Sequence, residues 1–336
     1  MDAMSHRAGA HAQDQPSVLV TSTVVDRLST NSVIRNYILE GFRACLAPSR
    51  ASACSLELAF KQVEATRPSL VVAAGSLASD ATDLRRLRRA TEAAGSLLAI
   101  WVHEDPYEFD YAFKLDTVAD VVFSNDAWAV PHYCHPRARH LPLAGAPGRH
   151  YRPVTPCEVR ETAVFFCGVA YANRAEFVRK ADDVLRRHPV EILGADWPPD
   201  IRCARNQRLT ADEMADYAQR SRLTLNIGRD LDIANARYGL PQSTPGPRTF
   251  ETALSGSVQL YVTTSLEVTD YFEPGVEILL VDSVRDVAEA IEWAYDDPAA
   301  ATAMAARAQT RALRDHTYRN RAQAILRACA ECWPAS

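Results

Sequence analysis

Apolar runs and amphipathic segments alternate through the first part of the chain. Apolar-rich segments predict strands at 17–21, 70–74, 97–102, 120–124 and 140–143. The continuous apolar run at 70–74 predicts a strand buried on both faces. Apolar positions spaced three to four residues apart predict helices at 29–45, 56–65 and 80–94. Strands that alternate with helices are typical of a parallel, doubly wound α/β sheet with helices on both faces.

The same alternation restarts after residues 144–156, AGAPGRHYRPVTP, whose prolines and glycines predict a linker. Strands are predicted at 162–167, 190–193, 223–226, 258–261 and 277–281, and helices at 172–187, 211–219, 248–256, 284–295, 299–314 and 318–332. We therefore expect an α/β protein with two Rossmann-like domains, 1–148 and 149–314, facing each other across a cleft. Ligands of such sheets bind at the carboxyl ends of the strands.

Composition narrows the function classes. A length of 336 residues suits about two domains. A net charge of −5 argues against a non-specific nucleic-acid or anionic-membrane binder. No apolar run approaches the roughly 18 residues of a membrane span. Residues 1–15 are polar, so we expect a disordered tail rather than a secretory signal, and a cytoplasmic protein.

Eight cysteines in a long chain without an export signal are expected to be free thiols. Cys329 and Cys332 form a single C-x-x-C pair, but no second pair stands at zinc-binding spacing. Three histidines and a cysteine within residues 132–140 could reach a metal. The prolines around them favour a polar loop instead, and we predict no metal site.

Residues 248–256, RTFETALSG, organise the second half. Pro247 and Gly256 mark the start and end of a short helix. At about 100° per residue, one face carries Arg248, Glu251, Thr252 and Ser255. A helix N-terminus with an arginine suits a diphosphate, and a carboxylate one turn further suits the hydroxyls of a ribose. The alternative is an ordinary amphipathic helix with a surface Arg–Glu pair.

Other residues of the second half follow predicted strands. Gly168 follows the strand at 162–167 and leads to Arg174, a pattern that suits a phosphate. Trp197 could stack on a nucleotide base or cap the core, and Asn226 ends a further strand. The irregular residues 228–246 predict a loop that closes over a ligand.

In the first half, His103, Glu104 and Asp105 follow the strand at 97–102. An imidazole and two carboxylates at the carboxyl end of a strand are candidates for a general base. His103 and Glu104 should point to opposite sides, so we expect only one of them to serve. The alternative is that Asp105 caps a helix and His103 is a core residue.

Motifs spread along the chain carry a resemblance to a known family. They lie at 166–174 (FCGVAYANR), 225–227 (LNI), 248–256 (RTFETALSG), 271–278 (YFEPGVEI) and 316–321 (HTYRNR). Fainter matches in the first half lie at 101–106 (WVHEDP), 122–125 (VFSN) and 141–143 (LPL). Together they resemble the CgeB-type, spore-maturation-like glycosyltransferases, which belong with the GT-B enzymes near family 4.

The resemblance implies that the second domain binds a nucleotide-diphosphate sugar, a UDP-sugar being favoured, as co-substrate without a further cofactor. The first domain would bind a polar small-molecule or glycan acceptor, and 315–336 would cross back to it. Glu251 matches the glutamate that holds the ribose, and Arg174 and Arg248 match basic positions near the diphosphate. A second glutamate of family 4 retaining enzymes, eight positions earlier, is replaced by Ser243.

A rival motif is Asp230-Leu-Asp232, a D-x-D of the kind with which GT-A glycosyltransferases hold a divalent metal. Two separate α/β halves do not fit a single GT-A domain. We therefore expect a metal-independent glycosyltransferase. We also expect a monomer or homodimer. The alternatives are a non-catalytic nucleotide-sugar-binding subunit and a nucleotide-sugar epimerase of the same fold.

Overall fold

The computed structural model describes residues 15–28, 32–78 and 80–333. The tail predicted at 1–15 lies almost wholly outside them, as does the predicted helix start at 29–31. The chain folds into two compact units. Unit 1 contains the described residues up to Leu143, Asp232–Pro241 and those from Tyr318 onward, and unit 2 contains Ala144–Leu231 and Gln242–Thr317.

Unit 1 is built on a six-stranded parallel sheet with the order β2-β1-β3-β4-β5-β6. The strands are β1 (Val18–Ser22), β2 (Ala51–Ala53), β3 (Leu70–Gly75), β4 (Leu97–Val102), β5 (Val121–Ser124) and β6 (Ala138–His140). Its helices are α1 (Ser32–Arg43), α2 (Leu56–Thr66), α3 (Ala81–Ala94) and α10 (Tyr318–Ala330). The central strands are buried on both faces, which explains why they form continuous apolar runs.

Helix α10 packs against α1 at an unusually close point. A Cβ built on Gly41 of α1 would lie 2.3 Å from the carbonyl oxygen of Tyr318. The Tyr318 ring lies 6.2 Å from that of Trp101 on β4 and 5.8 Å from that of Tyr37. The buried Arg321 donates hydrogen bonds from Nε and Nη2 to the carbonyl of Leu143. Helix α10 is therefore an integral part of unit 1.

Unit 2 contains a second six-stranded parallel sheet with the order β12-β11-β10-β7-β8-β9. The strands are β7 (Thr162–Val169), β8 (Val190–Ala195), β9 (Ala204–Arg205), β10 (Ser221–Asn226), β11 (Val258–Val262) and β12 (Leu279–Val281). The helices are α4 (Pro147–His150), α5 (Ala172–Leu185), α6 (Ala211–Gln219), α7 (Pro247–Leu254), α8 (Val284–Asp296) and α9 (Pro298–Asp315). In this sheet β8 and β9 lie on one side of β7, and β10, β11 and β12 lie on the other. The strand order therefore reverses between β7 and β10, which is the topological switch point.

Strands β7 and β8 approach each other closely because two glycines face one another. Gly168 pairs with Gly194 in the register of the two strands. Gly194 has φ +144°, and a Cβ on it would lie 1.8 Å from the carbonyl oxygen of Gly168. A side chain at Gly194 would clash with this backbone, so the contact requires glycine.

The predicted fold class is confirmed: the protein is α/β, with two parallel sheets covered by helices. The sequence analysis missed the short edge strands β2 (Ala51–Ala53) and β9 (Ala204–Arg205). Neither segment contains a run of large apolar residues. The strand predicted at 140–143 lies at Ala138–His140. All eight cysteines are free thiols.

Within the described part of the chain, no helix is both long enough and apolar enough to cross a membrane.

We predict that Gly41→Ala lowers the thermal unfolding midpoint of unit 1. Alanine favours a helix by about 1 kcal/mol over glycine, but overpacking against the Tyr318 carbonyl should cost about 1–3 kcal/mol. Asn36→Ala, at an exposed position of the same helix, is the control and should be neutral or stabilising. A Gly41→Ala protein as stable as the Asn36→Ala protein would contradict the close packing of α10.

Candidate functional site

The carboxyl ends of β7 and β10 meet at the switch point of unit 2, and Arg174 spans them. Its Nε donates to the carbonyls of Ile227 (3.0 Å) and Gly228 (3.2 Å), and its Nη1 donates to that of Val169 (3.1 Å). The guanidinium also lies 5.2 Å from the centre of the Tyr171 ring. A positive charge is therefore fixed at the edge where parallel sheets bind ligands.

Helix α7 starts beside this edge because a buried amide ties it to β10. Asn226, at the end of β10, donates from Nδ2 to the hydroxyl of Thr249 (2.9 Å) and to Oε1 of Gln259 (2.8 Å). Helix α7 has Gly246 as its N-cap and Pro247 in its first turn, and no side chain caps it. Its N-terminal dipole is therefore left for an anion.

The carboxylate of Glu251 is held between a cation and an imidazole. Arg248 Nη1 lies 3.0 Å from Glu251 Oε2, and His150 Nε2 lies 3.7 Å from Oε1. Only 16% of the Glu251 side chain is exposed, whereas Arg248 is 34% exposed. This is more than a surface Arg–Glu pair, since the carboxylate is mostly buried and has a second partner.

His150 is a site residue that the sequence analysis missed, because it lies in the segment interpreted as a linker. The backbone N–H of Ala146 donates to His150 Nδ1 (3.1 Å), so the neutral ring carries its proton on Nε2, toward Glu251. Burial lowers the pKa of His150; the charges of Arg248 and Arg152 act in the same direction, and Glu251 opposes them. The only signal in the sequence was a histidine just after the Pro147 start of a short helix.

Two predicted diphosphate ligands are placed differently from the sequence interpretation. Gly168 lies inside β7 rather than after it, beside Arg174 Nη1, which would lie 3.0 Å from a Cβ at that position. Ser255 is buried, and its hydroxyl lies within hydrogen-bond distance of the carbonyls of Glu251 (2.8 Å) and His150 (3.1 Å). The hydroxyl thus links α7 to α4.

The predicted nucleoside residues lie mostly in the interior. Trp197 packs in the core of unit 2, edge-on to Phe166, and its indole N–H donates to the carbonyl of Leu193 (3.2 Å). Thr252 is also buried. Little of the Trp197 ring remains for stacking on a base, which matches the core alternative of the sequence analysis.

The D-x-D pair lies in the irregular segment. The backbone N–H of Asp230 donates to Asn173 Oδ1 (3.3 Å), and Asp232 Oδ1 accepts from the backbone N–H of Asn235 (2.8 Å). Among the residues that the structure describes, no group of three or more histidine, cysteine or carboxylate side chains could hold a metal ion.

In unit 1, His103 lies directly beyond β4 and is buried. Its backbone N–H donates to the carbonyl of Gly75 (3.0 Å), and its ring meets Trp101 edge-on at 4.8 Å. Its Nε2 has no hydrogen-bond partner. Burial lowers the pKa of His103 to about 3, so the imidazole is neutral at physiological pH.

Asp105 is fully buried in a network of hydroxyls. Its Oδ2 accepts from the hydroxyls of Ser124 and Tyr133, both at 2.6 Å, while Oδ1 has no partner. The Asn125 side chain forms two hydrogen bonds with the backbone of Asp105. Its Oδ1 accepts from the Asp105 N–H, and its Nδ2 donates to the Asp105 carbonyl, both at 3.0 Å. Asp105 therefore does not cap a helix, contrary to the alternative considered from the sequence.

Burial raises the pKa of Asp105 to about 7. The two hydroxyl hydrogen bonds oppose this shift, whereas the neighbouring charges of Asp126 and Glu108 add to it. A carboxyl group that is part protonated near neutral pH can give or take a proton.

A second buried carboxyl, Glu108, lies on the same turn and was not predicted. It accepts from the Ser76 hydroxyl (2.7 Å) and from the backbone N–H of Leu77. Burial raises its pKa. Glu104 is only half-buried, which makes it the most accessible carboxylate of the turn 103–108.

Comparisons with known proteins were made on sequence and on structure. Residues 174–327 match a family described as glycosyl transferase-like, which covers less than half of the chain. No protein of curated function matches the sequence at a significant level.

Several solved structures are similar over almost the whole chain. HepE from Anabaena, in complex with UDP, is 10% identical with a TM-score of 0.59, covering 94% of this chain and 100% of that chain. AviGT4, a glycosyltransferase involved in avilamycin A biosynthesis, is 10% identical with a TM-score of 0.62, covering 95% and 98%. A candidate UDP-N-acetylglucosamine 2-epimerase from Listeria monocytogenes is 11% identical with a TM-score of 0.56, covering 95% and 96%.

The chain has the GT-B fold. The structure brings Gly168 and Arg174 together at the switch point of unit 2. It also brings Arg248 and Glu251 of α7 together with His150 of α4. His103, Glu104 and Asp105 share the turn beyond β4 in unit 1.

We predict that Asp105→Asn stabilises the protein increasingly as the pH rises. The folded-state pKa of about 7 lies above the ordinary value of 3.8, so the stability that Asp105 contributes is complete below pH 3.8 and is lost as the pH rises through 7. Asparagine does not titrate. The difference in unfolding free energy should therefore grow between pH 4 and 7, by at most about 1.4 kcal/mol per unit, and then level off.

The measurement is denaturant unfolding of both proteins from pH 4 to 8. Asp116→Asn, at an exposed position of unit 1, controls for the change of side chain. A difference that stays constant with pH would mean that Asp105 ionises normally.

Proposed function

We propose that the protein is a glycosyltransferase of the CgeB type that uses a nucleotide-diphosphate sugar, with a UDP-sugar favoured. The observation that carries the proposal is the mostly buried carboxylate of Glu251, which contacts Arg248 and His150. Glu251 lies on α7, the helix that Asn226 ties to the switch-point edge of unit 2. The UDP and UDP-glucose complexes of HepE, which is similar along its full length, support it.

Each donor group has a chemical counterpart in unit 2. Glu251 accepts hydrogen bonds from the ribose hydroxyls. Arg174, Arg248 and the uncapped N-terminus of α7 stabilise the diphosphate, whose negative charge grows as it leaves. Fixed cations and helix amides can supply this stabilisation without a metal ion.

The reaction transfers the sugar to a hydroxyl or amine of the acceptor, which binds unit 1. The acceptor atom forms a bond to the anomeric carbon, the bond from that carbon to the diphosphate oxygen breaks, and the diphosphate leaves with the electron pair. The acceptor proton goes to a base on the turn 103–108. Glu104 is the most accessible of His103, Glu104 and Asp105, and we favour it.

A nucleotide-sugar epimerase is the second candidate, because the Listeria structure described as such is similar over 95% of the chain. An epimerase converts UDP-N-acetylglucosamine in the absence of any acceptor, whereas a glycosyltransferase does not. Incubation with this sugar alone, followed by product analysis, separates the two. A non-catalytic subunit would bind UDP and turn over neither.

We predict that Glu251→Ala weakens UDP binding and abolishes discrimination against 2′-deoxy-UDP. Hydrogen bonds to a charged group contribute about 1.5–3 kcal/mol, so the wild type should prefer UDP by about tenfold or more. Isothermal titration of both nucleotides against both proteins measures the preference.

Glu289→Ala is the matched control, because Glu289 also pairs with an arginine, Arg285, on a helix of unit 2. It should keep the full preference. If Glu251→Ala still prefers UDP over 2′-deoxy-UDP as the wild type does, Glu251 does not hold the ribose.

We predict that at least one of Glu104→Gln, His103→Gln and Asp105→Asn lowers turnover by about a hundredfold or more, with Glu104→Gln having the largest effect. UDP affinity should stay unchanged, because these residues lie in unit 1. The assays are UDP release from UDP-sugars in the presence of candidate acceptors, and UDP titration. Unchanged turnover in all three variants would exclude this turn as the source of the base.

A further inference from the structure

The segment Asp232–Pro241 lies in sequence between β10 and α7, yet it packs with unit 1. We call it the strap. The sequence analysis predicted only a loop closing over a ligand within 228–246. The strap's neighbours are residues 107–110, which overlap the end of the turn 103–108, so its contacts bear on the candidate base.

Main-chain hydrogen bonds fasten the strap to unit 1. The backbone N–H groups of Ile233 and Ala234 both donate to the carbonyl of Tyr107, at 2.9 Å each. In return, the N–H of Asp110 donates to the carbonyl of Ala234 (2.8 Å), and Asp110 Oδ2 accepts from the N–H of Arg237 (3.1 Å). Bonds in both directions fix the position of residues 107–110 along the strap.

Asn235 gives the strap its shape. It is buried, with Oδ1 accepting from the N–H of Leu240 (3.2 Å) and Nδ2 donating to the Leu240 carbonyl (2.8 Å). Its own carbonyl accepts from the N–H of Gly239 (2.7 Å). Asn125 uses the same two-bond arrangement on Asp105, and Asn206 uses it on Trp197.

Aromatic packing connects the strap to the buried acid network. The Tyr238 ring meets Phe109 edge-on at 4.9 Å, and Phe109 meets Tyr133 edge-on at 4.9 Å. The Tyr133 hydroxyl then donates to Asp105 Oδ2 at 2.6 Å. The fully buried Phe109 is therefore held between the strap and the residue that fixes the Asp105 carboxyl.

We propose that the strap is a positioning element for the turn 103–108, and that Asn235 is the positioning residue that keeps it docked. This deepens the proposed function, on which its catalytic consequence rests. The strap is covalently continuous with β10, which ends at Asn226, and with α7, which carries Glu251. The segment that leads into the candidate donor helix thus also sets the geometry of the candidate acceptor turn.

The test is hydrogen–deuterium exchange on the full chain, comparing wild type with Asn235→Ala. We expect amides within 103–110 to exchange about tenfold faster in the variant, as well as those within 230–241, because the strap no longer secures them. Tyr238→Ala removes a partly exposed ring and leaves the Asn235 bonds, so it tests the aromatic path in a protein that should fold normally. Asn235→Asp keeps an acceptor for the Leu240 N–H and should lie between wild type and Asn235→Ala.

Asn206→Ala is the matched control for exchange, because it removes the same two-bond arrangement from unit 2. It should leave 103–110 unchanged. If 230–241 exchanges faster in Asn235→Ala and Tyr238→Ala while 103–110 keeps wild-type protection, the strap does not position the turn and the proposal is overturned.

Kinetics separate positioning from general destabilisation. In Asn235→Ala, UDP release from UDP-glucose in the presence of an acceptor should slow by about tenfold or more, while the KM for UDP-glucose and the Kd for UDP stay within about twofold. A matching loss of UDP affinity would contradict a role confined to the turn. If the wild type neither binds UDP nor cleaves UDP-glucose, the UDP-sugar function fails, and the exchange data alone still decide whether the strap positions the turn.

Discussion

Parallel sheets leave carbonyl groups at the carboxyl ends of their strands, and each one that is buried needs a donor. In unit 2, Arg174 meets this requirement for strands β7 and β10 with a single guanidinium. The same side chain leaves a positive charge at the one edge where a ligand of a doubly wound sheet can enter. One residue thus satisfies backbone carbonyl groups and also provides a positive charge for an anionic ligand.

In unit 1, neutral and acidic groups, rather than an arginine, hold the turn at the carboxyl end of β4. Asn125 pairs with the backbone of Asp105, and Ser124 and Tyr133 hold its carboxyl group. Because burial raises the pKa of Asp105, the edge of unit 1 carries a carboxyl group that can exchange a proton near neutral pH. The edge of unit 2 instead carries the fixed positive charge of Arg174. The edge of unit 2 therefore suits an anion, and the edge of unit 1 suits a proton transfer.

The sequence predicted the two α/β repeats because strands buried on both faces must be continuously apolar, as β3 and β4 are. It also predicted α7 and the pairing potential of Arg248 with Glu251, since both depend on local helix geometry. It could not predict His150 or the strap, because their partners are distant in sequence and no periodicity marks them. It placed Trp197 and Ser255 among possible ligands because residue type alone cannot show whether a ring or hydroxyl is already used by the core.

The contact between Gly41 and Tyr318 has a consequence for biosynthesis. Unit 1 needs a helix that is translated after all of unit 2, so its sheet cannot be covered on the Trp101 side while the ribosome is still producing the intervening residues. An apolar face of unit 1 therefore stays exposed until α10 has been synthesised. Unit 2, in contrast, is complete as soon as Thr317 has left the ribosome exit tunnel. Assembly thus runs against the order of synthesis, because unit 1 begins before unit 2 in the sequence and is completed after it.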